Sequence, residues 1–227
     1  MDVVYMLRDN TNTDEIRYSL RSVEKYLKNY DKIWVVGKPN SILNKETVNI
    51  IDTRDMYFHK QMNAINKILS VCSNPNVSDD FILMNDDFFF LKKCSSIKPY
   101  TIGSLDDKFL KQKSGMYRAS LQRALKFFNN MDNWEVHYPL VINKKSFKEC
   151  FYKIPWRTYS MVYRSPYSTF IKSKSLPLNS DFKVFNEEQF NSGKNRQFLS
   201  TSDKIYREPF FQEWLAKKFP KPSKYEV

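Results

Sequence analysis

Apolar residues in this chain come in short bursts at two different spacings. Residues 3–7, 33–36, 48–51 and 81–84 are runs of four or five mostly apolar positions. They are too short for helices and too continuous for strands with one wet face. Such runs read as strands buried on both faces, as in the middle of a parallel sheet. Between them the spacing changes. From Asp14 onward, Ile16, Leu20, Val23 and Leu27 recur every three or four residues, which predicts a helix with one buried face, capped by Thr13 or Asp14. Residues 60–71 repeat the pattern with Met62, Ile65, Ile68 and Leu69. Strand and helix alternate through this half, so it is expected to form a parallel sheet with right-handed crossovers.

Beyond about residue 95 the pattern is less regular. Residues 119–128, 145–151 and 208–218 are expected to be helical, the last stopped by Pro220 and Pro222. Residues 136–142 read as extended, and residues 198–203 contain a short strand. The aromatic-rich stretch 159–171 has no clear period. No long linker interrupts the chain. One domain over residues 1–227 is expected, an α/β half at 1–95 followed by a less regular elaboration at 96–227.

Composition narrows the function classes. At 227 residues with 41% hydrophobic and 16% aromatic content, the chain can bury a large core. It has no run of about eighteen apolar residues that would cross a membrane. Asp2 stands where a secretory leader carries basic residues, so a cytoplasmic location is expected, in a bacterial cell or a phage-infected host. Cys72, Cys94 and Cys150 are far apart and odd in number, which suits reduced thiols better than disulfides or a zinc site. With only 4 glycines there is no phosphate-cradling loop and no dinucleotide fingerprint. Lys and Arg outnumber Asp and Glu by 37 to 25, a net charge of +12. That surplus attracts polyanions, nucleic acid among them, or simply keeps the surface soluble.

The candidate chemistry gathers where strands end. Arg8 and Asp9, Gly37, Asp52, and Asp86 with Asp87 all follow predicted strands. In open α/β sheets ligands bind beyond the carboxyl ends of the strands. Asp86 and Asp87 close a buried apolar run and precede Phe88, Phe89 and Phe90. Removing two carboxylates from water is costly, and a hard divalent cation offsets that cost through oxygen ligation. Alternatively, one Asp caps a turn and the other is solvated. The doublet by itself leaves both readings open.

Wider motifs carry a family resemblance. The stretch from Asp14 through Ile16, Arg17, Leu20, Arg21 and Val23 to Tyr26, followed by Lys32-Ile-Trp-Val-Val-Gly37, resembles the second conserved region of the Stealth proteins. These are sugar-phosphate transferases of bacterial capsule synthesis, and they include the lysosomal-enzyme N-acetylglucosamine-1-phosphotransferase. Residues 2–5 look like the shorter first region, Asn63-Ala-Ile65 like an Asn-Ala-Ile element, and residues 81–89 like the Asn-Asp-Asp-aromatic-Phe motif. His137-Tyr-Pro139 is a looser echo of a later His-x-Pro element. The first region departs from the family, with Met6-Leu-Arg-Asp9 where Stealth proteins have Trp-Val-Asp-Gly. The chain also resembles compact phage-type glycosyltransferases.

The resemblance implies a GT-A-like, Rossmann-like fold with a mostly parallel sheet flanked by helices. The half at 1–95 would bind metal and nucleotide-sugar, and 96–227 would face the acceptor. Mn²⁺ or Mg²⁺ would sit on Asp86 and Asp87. The expected activity is glycosyl transfer from a nucleotide-diphosphate sugar to a glycan; hexose-1-phosphate transfer is the first alternative and nucleic-acid binding or modification the second. Arg8 and Asp9 would contact the nucleotide, and Arg17 and Arg21 are candidate phosphate contacts. Lys60, Gln61, Asn63 and Asn85 are candidates for the donor sugar. His137, one of 2 histidines with His59, is a candidate third metal ligand or acceptor base. Asp87 is placed with it as catalytic, and Asp203 and Arg164 are further candidates. Trp134, Trp156, Tyr159, Tyr163 and Tyr167 would floor an acceptor groove or pack in the core.

Overall fold

The structure is a computed structural model that describes residues 1–9 and 14–227. Its centre is a sheet built from the predicted apolar runs. β1 (Asp2–Met6) is followed by α1 (Glu15–Tyr26), β2 (Ile33–Val36), β3 (Val48–Ile51), α2 (Lys60–Ser73) and β4 (Asp80–Met84). β4 leads directly into the short β5 (Phe88–Phe90) and then β6 (Tyr100–Thr101). The remaining chain holds α3 (Leu105–Lys111), α4 (Gly115–Leu125), β7 (Leu140–Asn143), α5 (Lys144–Tyr152), α6 (Arg164–Phe170) and β8 (Leu176–Pro177). It ends with β9 (Lys183–Val184), α7 (Glu187–Gly193), β10 (Phe198–Thr201), α8 (Asp203–Tyr206) and α9 (Pro209–Lys218).

The five-stranded sheet runs in the order β3-β2-β1-β4-β7. β1 pairs in parallel with β2 and β4, β2 pairs in parallel with β3, and only β7 is antiparallel. The chain steps outward from β1 to β3, then returns to place β4 on the other side of β1. That reversal opens a crevice between the carboxyl ends of β1 and β4, the usual ligand position in such sheets. The expected mostly parallel α/β fold is what forms.

Both faces of the sheet are dry, which is why its strands lack polar alternation. Val4, Phe81 and Leu83 pack on one face with Ile65 and Ile68 of α2 and Phe147 and Phe151 of α5. Val3, Tyr5, Ile82 and Met84 pack on the other with Ile16, Leu20 and Val23 of α1. The three phenylalanines after Asp87 continue as a strand of a second sheet, ordered β5-β10-β9. Their period-two alternation divides them: Phe88 and Phe90 join the layer beneath the main sheet, and Phe89 joins a third cluster with Phe190, Phe211 and Leu215.

Several sequence expectations need correction. α3 and α7 fell outside the apolar period, yet each has a side-chain cap, from Ser104 to the Asp107 amide and from Asn186 to the Gln189 amide. The helix expected at 119–128 begins earlier, at Gly115, and ends at Leu125. Part of the unassigned stretch 159–171 is α6. Of the two caps proposed for α1, Thr13 lies outside the described residues. Asp14 makes no cap bond and accepts instead from the Tyr206 hydroxyl at 2.6 Å. No described helix is long and apolar enough to cross a membrane.

Candidate active site at the carboxyl ends of the parallel strands

Three strand ends meet at the crevice. The turn after β4 brings Asn85, Asp86 and Asp87, all partly buried. β9 and β10 approach through the second sheet, which places Lys183 and Ser200 on Asp87. Lys183 Nζ lies 3.1 Å from Asp87 Oδ2, and Ser200 Oγ donates to the same oxygen at 2.9 Å. Asp203, at the start of α8, and Arg8, after β1, both act electrostatically on Asp86.

The charges here are not balanced pair by pair. Burial, then the adjacent Asp87 charge, pushes the Asp86 carboxyl up to about 7, against the lowering effects of its own backbone amide and of Arg8. Lys60 at the start of α2 is held below the ordinary lysine value, by partial desolvation first and then by the neighbouring cations Arg8 and Lys183. Asn85 Oδ1 and Thr201 Oγ1 are buried without a hydrogen-bond partner among the described residues. Carboxylates pressed together beside unpaired oxygens and three cations suit a ligand carrying both a metal ion and phosphate.

The donor set fits a divalent cation in a particular way. Among the described residues no group of three or more His, Cys, Asp or Glu side chains is gathered for a metal. Mg²⁺-type ions are commonly held by one or two carboxylates plus substrate phosphates, so Asp86 and Asp87 with the unpaired Asn85 oxygen match that mode. A ligand set of two carboxylates plus His137 is not assembled. The His137 ring instead pairs with Asp181, Nδ1 to Oδ2 at 2.8 Å, and its amide donates to Asp181 Oδ1 at 2.9 Å. Burial raises the Asp181 pKa, but the hydrogen bonds and charge of His137 outweigh it and hold the carboxyl below its ordinary value.

Other predicted contacts are engaged in structure. Arg21 makes a bidentate pair with Glu226, at 2.7 and 2.8 Å, and donates to the Phe219 carbonyl. Arg17 Nε lies 3.6 Å from the same carboxylate. These two arginines clasp the segment around Glu226 onto α1 rather than facing the crevice as phosphate contacts. Asn63 accepts from the Met56 and Tyr57 amides and donates to the Tyr57 carbonyl, so three of its four side-chain hydrogen-bonding positions pin the loop after β3.

Asp9 is held by that same loop. The Asp9 amide donates to Asp55 Oδ2 and the Asp55 amide to Asp9 Oδ2, at 3.2 and 2.9 Å. Lys67, buried in α2, donates to the Leu7 carbonyl at 2.7 Å and to Asp55 Oδ1 at 2.5 Å, and lies 3.7 Å from Asp9 Oδ1. Gly37 makes room for this arrangement. It has φ +125°, and a Cβ there would meet the Leu7 carbonyl oxygen at 2.3 Å. Sequence reading missed Lys67, Asp55, Lys183 and Asp181, because no periodicity or motif marks them. Ser200 and Thr201 had a weak signal in their position before Asp203.

The aromatic candidates divide. Trp156 and Tyr167 are core residues, and Tyr159 is exposed. Tyr163 is buried, and burial is the main cause that holds its hydroxyl above the ordinary tyrosine value.

Residues 9–113 match the family model described as Stealth protein CR2, conserved region 2. The Stealth resemblance holds. The chain is 23% identical over 164 residues to the capsular polysaccharide phosphotransferase cps1A of Actinobacillus pleuropneumoniae, covering 64% of this chain and 45% of that protein. It is 25% identical over 170 residues to the capsular polysaccharide phosphotransferase LcbA of Aeromonas hydrophila, covering 66% and 46%. The chain thus spans under half the length of these two relatives. In structure it is similar to an active-site mutant of LgtC, with a TM-score of 0.55 at 12% identity over 99% of this chain and 98% of that one. The apo structure of the bifunctional glycosyltransferase WbbM gives 0.54 at 13% identity over 98% and 50%. The fold is that of the GT-A glycosyltransferases.

Proposed function

We propose that the chain transfers hexose-1-phosphate from a nucleotide-diphosphate sugar to a hydroxyl of a glycan acceptor, with a divalent metal. The observation that carries this reading is the gathering of Asp86, Asp87, Lys60 and Lys183 at the switch point between β1 and β4, with Asp86 pushed up by burial and by the Asp87 charge. The names of the curated relatives favour phosphosugar over hexosyl transfer.

Asp86, Asp87 and the Asn85 oxygen would hold Mg²⁺ or Mn²⁺, which when bound supplies Lewis-acid charge to the diphosphate. Arg8 and Lys60 offer cations to the phosphate oxygens. Lys183 fixes the Asp87 carboxylate and adds a further positive charge beside it. His137 is the acceptor base in this reading. Asp181 engages Nδ1, which leaves Nε2 to take the proton. The acceptor oxygen attacks the sugar-side phosphorus, the bond from that phosphorus to the bridging oxygen breaks, and a nucleoside monophosphate leaves.

The test is product analysis. The protein is incubated with Mn²⁺, an oligosaccharide acceptor and a panel of nucleotide-diphosphate sugars, and the phosphorus species are resolved by ³¹P NMR. A nucleoside monophosphate with a new phosphodiester is expected. Release of a nucleoside diphosphate would replace this reading with hexosyl transfer, in which the anomeric carbon is attacked. No turnover and no thermal shift with any donor would reject both.

A further inference from the structure

Between Asp107 and Asp132 the chain holds Lys108, Lys111, Lys113, Arg118, Arg123 and Lys126 and no carboxylate side chain. This basic stretch folds as most of α3, a short turn and α4. Gly115 makes the turn with φ +92°, in the left-handed region. Arg118 fixes the hairpin from within. Its Nη1 donates to the Phe109 and Gln112 carbonyls at the open end of α3, at 2.6 and 2.5 Å. The guanidinium also lies 3.9 Å from the centre of the Phe109 ring.

The apolar residues of this hairpin part to two sides. Phe109, Tyr117, Leu121, Ala124 and Leu125 pack into the core layer that α2 and α5 form on the main sheet. Leu110 and Met116 flank the turn on the outside and are 71% and 56% exposed. Phe127 is exposed as well, and it shares a stripe with Met116 and Arg123, at steps of seven and four. Its amide donates to the Ala124 carbonyl at 3.0 Å, so the last turn of α4 reaches it. Lys111, Lys113 and Lys126 stand exposed among these residues and form no ion pair among the described residues. Single exposed apolar side chains are ordinary on a protein surface. Here three share one hairpin held rigid from within, with cations between them.

Charge complementarity decides what covers this face. A polyanion in water, such as nucleic acid, would meet the lysines and leave Leu110 and Met116 wet. An anionic bilayer answers both needs, with headgroup phosphates for the lysines and the acyl boundary for the aliphatic side chains. We infer that the hairpin of α3 and α4 docks this protein on the surface of a membrane containing anionic phospholipid. Leu110 and Met116 insert at the headgroup boundary, and Lys111, Lys113 and Lys126 lie on the phosphates. This docking goes beyond the transferase reading. It needs neither donor nor metal, so either can fail without the other.

The test is co-sedimentation of the whole chain with two kinds of vesicle, phosphatidylcholine alone and an equimolar mixture of phosphatidylcholine and phosphatidylglycerol. Binding to the mixed vesicles only is expected. Lys111→Gln with Lys113→Gln should weaken it roughly twenty-fivefold, about fivefold for each lysine at an anionic surface. Leu110→Ser with Met116→Ser, which leaves the charge unchanged, should weaken it by about tenfold. A polarity-sensitive fluorophore on Leu110→Cys should shift to the blue when mixed vesicles are added, and Cys72, Cys94 and Cys150 are buried away from the label. No binding to the mixed vesicles, equal binding to both kinds, or binding that the serine pair leaves intact would overturn the inference. Salt-sensitive binding to duplex DNA that the lysine pair weakens, with no blue shift on vesicles, would assign the face to nucleic acid instead. The wild-type vesicle comparison and the label decide the matter even if a paired variant does not fold.

Discussion

Two strand-end clusters in this protein have the same composition and opposite fates. Asp9 and Asp55 meet Lys67, and Asp86 and Asp87 meet Lys183. At the first cluster each carboxylate accepts a backbone amide from the other's residue, and a buried lysine closes the group. At the second, among the described residues, side chains hydrogen-bond Asp87, while Asp86 is held toward its protonated form and Asn85 Oδ1 has no hydrogen-bond partner. The closed cluster joins two loops, and its one oxygen without a hydrogen bond, Asp9 Oδ1, lies 3.7 Å from the Lys67 ammonium. The open one has charge and oxygen left for something outside the protein. Two carboxylates and a lysine do not by themselves mark an active site; a carboxyl pushed toward its neutral form beside a second one does.

Substitutions can break this contrast. Asp87→Ala is expected to reduce transferase turnover on the order of a hundredfold to a thousandfold, while stability falls by only about 1–2 kcal/mol, from the buried Ser200 hydroxyl losing its acceptor and Lys183 its ion pair. Steady-state rates and urea melts read the two effects, and a stability loss as large as the activity loss would make Asp87 structural. Lys67→Met should do the reverse at the closed cluster. It leaves two carboxylates facing each other and is expected to cost about 3 kcal/mol in urea denaturation.

The clasp between Arg21 and Glu226 is a second closed group, and Glu226→Gln should cost about 2 kcal/mol. It also predicts a pH effect. Despite burial, the bonds from Arg21 and the Ser223 amide hold Glu226 below its ordinary value. Its stabilisation is therefore fully present above the unfolded Glu pKa of about 4.3 and is lost as the pH falls through the lower folded value. Acid melts of wild type should be steeper than those of Glu226→Gln. The smallest effect sharpens the comparison most directly. Mn²⁺ at about ten times its dissociation constant should raise the melting temperature by roughly 3–5 °C. The rise should survive in Lys67→Met and vanish in Asp87→Ala. A shift that survives in Asp87→Ala would place the metal elsewhere.

How far the sequence reached follows from what each feature depends on. Asp86, Asp87 and Asn85 were legible because a buried apolar run ends on them, and Lys60 because it opens a periodic helix beside them. Arg17 and Arg21 were visible as a basic stripe, but their partner Glu226 lies about two hundred residues away, 205 from Arg21. No local pattern announces that pairing. Asn63 was singled out by motif, whereas its bonds to Met56 and Tyr57 depend on how the loop after β3 closes.

The sequence alone determined the parallel α/β sheet, its flanking helices and the carboxylates at its central strand end. Hydrophobic period and strand continuity are local properties, and burial on both faces leaves them little freedom. Tertiary structure decided which charges are satisfied. It brought Lys183 to Asp87, Lys67 to Asp55, Asp181 to His137 and Glu226 to Arg21, each across at least 12 residues. Whether a polar group is free to act depends on what the fold brings to face it, and hydrogen bonds formed at that distance leave no trace in local spacing.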